Sequence, residues 1–580
     1  MTTGSSSTSQ SGSGAAAGTR PPRRGERIST FKGQERALRA DRLGTVGLLL
    51  SVLAATAPLM VVAGVMPTTF GVMGIEGQPL LFVVLGLVLA LFSLGYAEMS
   101  RHVHNAGAFY AYISRGLGGT AGAAAALVAL VAYSALQVGI YGIFGFEVSG
   151  LFATYLDTDL VWWIPSLAAV LLVGALGWLK IDLNARVLGV LLVIEVALVV
   201  IFDVAAVGDP AKEGLSLHAF NPDTLSGAGV GTALCFCIAA FLGFEQAPVY
   251  AEETSRPHIL VPRVMFLAVG FVAVFFALSC WALTVAAGPS AVVPTARKQS
   301  AGLLFFLTED VLGSTFTDVL HVLFVTGMFA AMLSFHNVVA RYAFAMGRER
   351  LLPAAFGRTG ASGAPGTGSL LQTAVSLLVV VGFAVADDKP HGDPTAPVLH
   401  LFTWGGSVGA LGVTVLMVAA SLSVIVFFAR RGAARAQGWR LATSALSGLA
   451  LLVIVGYTVK DFDVLVGSGP GSALSWALPA IIAVAALAGV VQGLLIRARS
   501  PEAHARIGLG NEAFRLEKAA GETRRTRRAD GSTGRTRAEP TGRTPAEVPA
   551  SRPAPEAMTN SLRDPPSTGP GGGTGARIEG

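Results

Sequence analysis

Two carboxylic acids sit in the middle of long apolar stretches, and they are the residues with the clearest chemical use. Glu195 is the acid at the centre of RVLGVLLVIEVALVVIFDVAAV, nine residues past Arg186, which is about 13 to 14 Å along a helix. Glu245 lies in ALCFCIAAFLGFEQAPVYAEE beside Gly243, and counting back from Arg256 at about 1.5 Å per residue puts it roughly 16 Å deep. An acid at such depth in hydrocarbon faces a cavity or a partner. Glu195 can therefore serve as a group that takes up and releases a proton, or it can be held paired or neutral throughout. Glu245 has the same functional use, or it braces its own helix by accepting hydrogen bonds from backbone donors. Asp203, nearer the outer end of the same stretch, reads as interfacial.

A third chemical feature is backbone. LLLSVLAATAPLMVVAGVM contains Ala57-Pro58, and proline removes an amide donor and disfavours helix at the residue before it. Thr56 or Ala57 can end one half-helix and Pro58 begin the next. The N–H groups of Leu59, Met60 and Val61 would then point unpaired toward the centre of the protein, where they suit a carboxylate. A simple proline kink is the other reading of this segment. Tyr133, Gln137 and Tyr141 recur every four residues and share one helix face, either lining a cavity or bonding to neighbouring helices.

The elements that hold these groups are membrane helices. Of 580 residues, 52% are hydrophobic and only 13% charged, against roughly 25% charged in soluble domains. The apolar residues fall into blocks long enough to cross a bilayer core. Twelve spans are expected, near 45–66, 79–99, 119–151, 161–179, 187–207, 228–251, 264–287, 316–346, 369–386, 399–429, 439–458 and 473–496. Alternate loops differ sharply in basic residues. One set holds Arg101, Arg115, Lys180, Arg186, Arg256, Arg263, Arg341, Arg348, Arg350, Arg358, Arg430, Arg431, Arg435 and Arg440. The other holds only Lys212, Arg297, Lys298, Lys389 and Lys460. By the positive-inside rule the first set and both termini are cytoplasmic.

Residues 1–42 are Ser/Gly-rich and residues 498–580 are rich in Arg, Pro, Gly and Thr; both are expected to be disordered cytoplasmic tails flanking a core at 43–497. No signal peptide of the cleavable kind is visible. Arg524, Arg525, Arg527 and Arg528 suit anionic inner-leaflet lipid, and no nucleic-acid partner is expected. Cys235, Cys237 and Cys280 lie inside apolar blocks and read as small hydrophobes. His102 and His104 lack further ligands nearby, so no metal is expected. Gly405-Gly406-Ser407-Val408-Gly409 has hydrolase-elbow spacing but opens a membrane span, where small residues serve close helix packing. No cofactor and no enzymatic activity are expected.

Three segments resemble the amino acid–polyamine–organocation transporter superfamily. LALFSLGYAEMSRHVHNAGAFYAYISRGLGGTAG, residues 88 to 121, is similar to that family's second helix, cytoplasmic hairpin and third-helix start, with Tyr96, Ala97, Glu98, Gly107, Tyr110, Tyr112 and Gly116 in place. FLGFEQAPVYAEETSRPHILVPR, residues 241 to 263, resembles the sixth-helix signature. HNVVARYAFAMGRERLLP, residues 336 to 353, resembles the end of the eighth helix, with Asn337, Arg341, Met346 and Arg348 matching. The resemblance implies an all-α polytopic fold with a five-plus-five inverted repeat, discontinuous helices one and six, and two extra helices at 439–496. The repeats would cover about 43–207 and 228–429.

The resemblance further implies that a substrate carboxylate meets the second half of the first helix, around Ala57, Pro58, Leu59 and Met60. Its ammonium group would meet carbonyls near Ala55, Thr56 and Phe241. Phe241, Leu242, Gly243 and Phe244 would line and gate the site, with Asn337 of the eighth span contributing. Two features depart from the family pattern: Ala-Thr-Ala-Pro replaces a Gly-small-Gly run, and Glu195 stands near where proton-driven relatives carry lysine. The expected function is a secondary transporter that moves amino acids, polyamines or related amines across the cytoplasmic membrane by alternating access. Glu195 or Glu245 would exchange a proton, with Na+ as the other candidate coupling ion. A nutrient sensor or a channel that runs no carrier cycle is the alternative.

Overall fold

The computed structural model describes residues 44–103, 105–179, 185–225, 229–359, 364–386, 395–431, 438–466 and 471–510. Residues 1–42, His104, Lys180, Lys389, Arg435 and the Arg524–Arg528 cluster lie outside the described residues. The described residues are helical throughout and form no strand.

The first span runs Thr45–Met73 (α1), interrupted at Ala57. It is followed by α2 (Gln78–His102), the short amphipathic α3 (Ala108–Leu117), the long α4 (Gly119–Leu156), α5 (Trp163–Leu179) and α6 (Ala185–Gly208). The second half begins with α7 (Val230–Phe241), which continues after a break as a 3₁₀ arm, Phe244–Glu253. Then come α8 (Pro257–Ala287), two short helices α9 (Val292–Gln299) and α10 (Leu303–Leu312), α11 (Ser314–Arg348), α12 (Gly366–Ala386), α13 (Thr403–Arg430), α14 (Gly438–Lys460), α15 (Ala473–Arg499) and α16 (Pro501–Arg506).

Among the described residues ten helices are long and apolar enough to cross a membrane, and α7 with its arm makes an eleventh. The expected fourth span appears as α5, an apolar helix of 17 residues, just under the ~20 that a perpendicular crossing takes. In the most apolar window of α1, 72% of residues are buried, against 22% in α12. Hence α1, α4, α11 and α13 form an inner set, and α6, α12, α14 and α15 an outer one. The outer helices display Leu378, Val385, Leu446, Val484 and Leu487, a belt that only lipid can cover without penalty.

The folded core ends later than the sequence suggests. The expected tail boundary at 498 falls inside α15, and residues through 510 are ordered against the bundle. Ser500 caps α16 by accepting the Ala503 N–H at 3.4 Å, and Ile507 is buried. Composition misleads here because a few apolar and glycine contacts suffice to anchor a short polar segment.

Candidate functional site

The interruption of α1 follows from Pro58. With no amide hydrogen at 58, Ala57 leaves the helical region for φ 41°, ψ 72°, a left-handed conformation. Thr56 turns its hydroxyl back onto the Leu53 carbonyl at 2.7 Å, satisfying an acceptor near the interruption. Leu59 and Met60 occupy the first turn of the new segment, where amides have no intrahelical acceptor. The Val61 N–H, expected to be free as well, is bonded to the Ala57 carbonyl at 3.1 Å, because one helical turn re-forms at once. The span carries on through this point, so the break is an opening of the backbone rather than a separation into two rods.

The second break is sharper. α7 ends at Phe241, Leu242 is extended, Gly243 adopts φ 137°, and the arm leaves at 41°. Gly243 presses on α1 just before its own interruption: a Cβ there would lie 2.7 Å from the Val52 carbonyl oxygen and 2.9 Å from Thr56 Cγ2. The two discontinuities thus meet backbone to backbone.

Glu245 locks that junction. It is fully buried; one carboxylate oxygen accepts the Gly243 N–H at 2.7 Å and the other accepts the Tyr133 hydroxyl of α4 at 2.8 Å. This is the bracing geometry, extended by one bond to a neighbouring helix. Tyr133→Phe is expected to cut uptake about tenfold and lower the melting temperature by a few degrees, since hydrogen bonds to charged groups contribute roughly 1.5–3 kcal/mol; initial-rate uptake and a thermal melt measure both.

Glu195 is arranged differently. It is 2% exposed and lies against Gly327 of α11, where a Cβ would come within 2.6 Å of Oε1. Among the described residues it has no hydrogen bond or ion pair, and no cation balances its charged form. Asp203, by contrast, accepts a hydrogen bond from Ser279 at 2.6 Å.

Beside the junction is a cavity of ≈ 30 Å³. Ala55, Thr56, Met60, Val61 and Val65 line it from α1, Leu136 and Ile140 from α4, Phe236 and Ala239 from α7, Phe335 from α11, Phe402 from the π-helical turn before α13, and Gly406 from α13. Of the residues expected at the site, Ala55, Thr56 and Met60 line it, while Ala57, Pro58 and Leu59 shape the break. Phe241 and Phe244 turn the other way, onto Phe82 and Phe92 of α2; Leu242 is buried with them. Asn337 is half-buried, and its carbonyl accepts from Arg341 at 3.2 Å.

Tyr133 and Gln137, one turn apart, have separate partners. Gln137 donates to Tyr141 at 2.9 Å and approaches His336 of α11 at 3.5 Å. His336 meets Ser369 of α12 at 2.7 Å, and Ser134 donates to Gln372 at 2.7 Å. This polar seam joins α4, α11 and α12. Its sequence signal was the spacing of Ser369, Gln372 and Ser376 along one face of the ninth span. At the far end of α11, Arg341 makes a two-point pair with Glu253, 2.7 and 3.3 Å, and its guanidinium lies 4.6 Å above Tyr250. Glu98 pairs with Arg440 at 3.0 Å. Among the described residues no group of three or more His, Cys, Asp or Glu side chains is placed to hold a metal ion.

A bundle of apolar spans with two interrupted helices meeting beside an enclosed cavity defines a multi-pass membrane transporter. The chain belongs to the amino acid permease family, which it matches over residues 48–488. It is 26% identical to the branched-chain amino acid permease BcaP of Lactococcus lactis subsp. cremoris over 327 residues, 53% of this chain and 68% of that protein. It is 23% identical to a methylthioribose transporter of Bacillus subtilis over 290 residues, 48% of this chain and 61% of that protein. The chain thus spans roughly two thirds of the length of these curated relatives. Crystal structures of an Eremococcus coleocola manganese transporter resemble it with a TM-score of 0.48 at 13% identity, covering 82% of this chain and 99% of that one.

Proposed function

We propose that the protein carries amino acids with aliphatic side chains across the cytoplasmic membrane by alternating access, with proton exchange at Glu195. The observation that carries this reading is the meeting of the two backbone breaks beside an apolar cavity. The amides of Leu59 and Met60 suit a carboxylate, and carbonyls at the end of the first half-helix suit an ammonium group. The cavity wall is otherwise apolar: Val61, Val65, Leu136, Ile140, Phe335 and Phe402 offer a side chain nothing to hydrogen-bond. No carboxylate lines it to match the second charge of a polyamine, which favours amino acids within the broader class of amines. That a relative is a branched-chain amino acid permease supports the same choice.

A volume of ≈ 30 Å³ holds a water or two, so binding an amino acid requires the helices to part. Glu245 and Tyr133 close one path beneath the cavity, and the Glu253–Arg341 pair closes the face beyond it. In this reading α5 joins the eleven longer spans to make twelve crossings, the first ten form two inverted halves, and the Arg-rich loops with both termini are cytoplasmic.

Counterflow tests the carrier cycle. Liposomes loaded with unlabelled leucine are expected to accumulate external labelled leucine transiently; a signal no greater than that of protein-free liposomes would overturn the reading and leave a sensor. Gly406→Val, which fills the cavity's α13 side, is expected to raise the KM for leucine roughly tenfold over that for alanine, the range that a methylene or two of pocket space controls. Equal KM changes for both would remove the cavity from the site.

A further inference from the structure

The ordered segment after α15 has no part in binding, yet one of the most heavily bonded carboxylates in the protein is devoted to it. Glu349, just past the end of α11, is 5% exposed. It accepts the N–H of Gly508 at 2.7 Å, the N–H of Gly510 at 2.9 Å and the side-chain amide of Asn105 at 2.8 Å. Ser114 of α3 donates to the Ile507 carbonyl at 2.6 Å, and Thr120 at the start of α4 meets the His504 ring at 3.0 Å.

The turn needs its glycines. Gly508 and Gly510 have φ of +83° and +52°, a region that side chains with a Cβ seldom adopt. Cβ atoms there would lie 2.7 Å from Ser114 Cβ and 2.8 Å from Asn105 Cγ. The segment therefore ties α3 and the start of α4 to the end of α11. α3 itself touches the 3₁₀ arm of α7, the arm that ends in the Glu253–Arg341 pair two turns up α11. Two ties thus close one face of the molecule, and one of them is made by the chain's own C-terminal segment.

We propose that residues 500–510 form a strap that holds this face closed, and that Glu349 is the positioning residue that sets how fast the face opens. The inference rests on the alternating-access reading above, which makes this the cytoplasmic face. A carboxylate bonded to two backbone amides of a glycine turn is a strong but local fastening. Its loss frees the strap without touching the cavity, so it changes the rate of opening and leaves substrate affinity alone.

The test compares the full chain with Glu349→Gln, and with Gly508→Val as an independent lesion on the strap side. Hydrogen exchange of peptides covering 500–510 is expected to quicken about tenfold or more in both variants, as local opening becomes easier. In liposomes the maximal rate of labelled-leucine exchange is expected to rise about threefold with KM unchanged, the pattern of a faster conformational step. A readout free of substrate accompanies it. With Cys235, Cys237 and Cys280 replaced by alanine, Ala251→Cys places a thiol on the buried arm of α7, and a membrane-impermeant maleimide is expected to label it about fivefold faster when the strap is freed.

Faster exchange of the strap with no change in Ala251→Cys labelling would reduce the strap to a passive staple and overturn the proposal. Unchanged exchange at 500–510 in both variants would overturn the anchor itself. If Glu349→Gln does not fold, Gly508→Val decides alone. Should the unmodified chain show no leucine counterflow while labelling responds to the strap, the substrate reading fails and the strap stands.

Discussion

Glu195→Gln is expected to abolish uptake driven by a pH gradient and to leave binding intact. The side chain sits against Gly327 of α11 with no hydrogen bond or ion pair among the described residues. A carboxyl so placed gains nothing from its neighbours in either protonation state except the cost of burying charge. Its protonation therefore tracks the conformation that admits water, which is what couples a proton to a carrier. Glutamine keeps the shape and removes the proton exchange. Net uptake under an imposed pH gradient should fall about 10²–10⁴-fold, the span over which a lost proton-transfer group is felt.

Exchange of leucine for leucine, which moves no net proton, should stay within about threefold, and the leucine-induced rise in melting temperature should persist. An unchanged pH dependence in the variant would take Glu195 out of the cycle. Uptake that follows a sodium gradient equally well in both proteins would assign the coupling to Na+ instead. Glu245 is the poorer candidate on geometry: both its oxygens are already used, by Gly243 and Tyr133.

What could be read from the residues divides along a physical line. Charge in an apolar block is conspicuous, so Glu195, Glu245 and the alternation of basic loops stood out, and proline gave away the interruption before Pro58. The walls of the cavity did not show. Phe335, Phe402, Leu136 and Ile140 are apolar, and in a membrane protein apolar residues face lipid, core and cavity alike. No periodicity separates them, because the solvent outside is as apolar as the interior. Phe241 and Phe244 illustrate the converse error. Their place beside the break suggested a lining role, whereas their rings turn to Phe82 and Phe92. The strap was hidden by its composition, since Ile507-Gly508-Leu509-Gly510 reads as the start of a polar tail until Glu349, far away in sequence, is seen to bind it.

The other large effect is expected from Gly243→Ala, a single methyl group at the point where the two breaks meet. Two costs combine there. With φ at 137° and ψ at −43°, the backbone is one that L-residues enter only under strain of about 1–3 kcal/mol. The added Cβ would also lie 2.7 Å from the Val52 carbonyl oxygen, and a helical carbonyl has no rotamer by which to step aside. Either the arm of α7 retreats from α1, or residue 243 abandons its conformation and takes its N–H away from Glu245. Both outcomes separate the breaks that the site is built from. Uptake is expected to fall at least about 100-fold, the scale of a misplacement near 1 Å in a site that depends on alignment, with the melting temperature several degrees lower. Gly270→Ala on α8 is the matched control, because a Cβ there meets nothing within 4 Å, and in a helix interior alanine is favoured over glycine by about 1 kcal/mol. Were Gly243→Ala to transport like Gly270→Ala, the close approach of the two helices would be incidental to function, and the cavity beside it would need another account of how it binds a charged ligand.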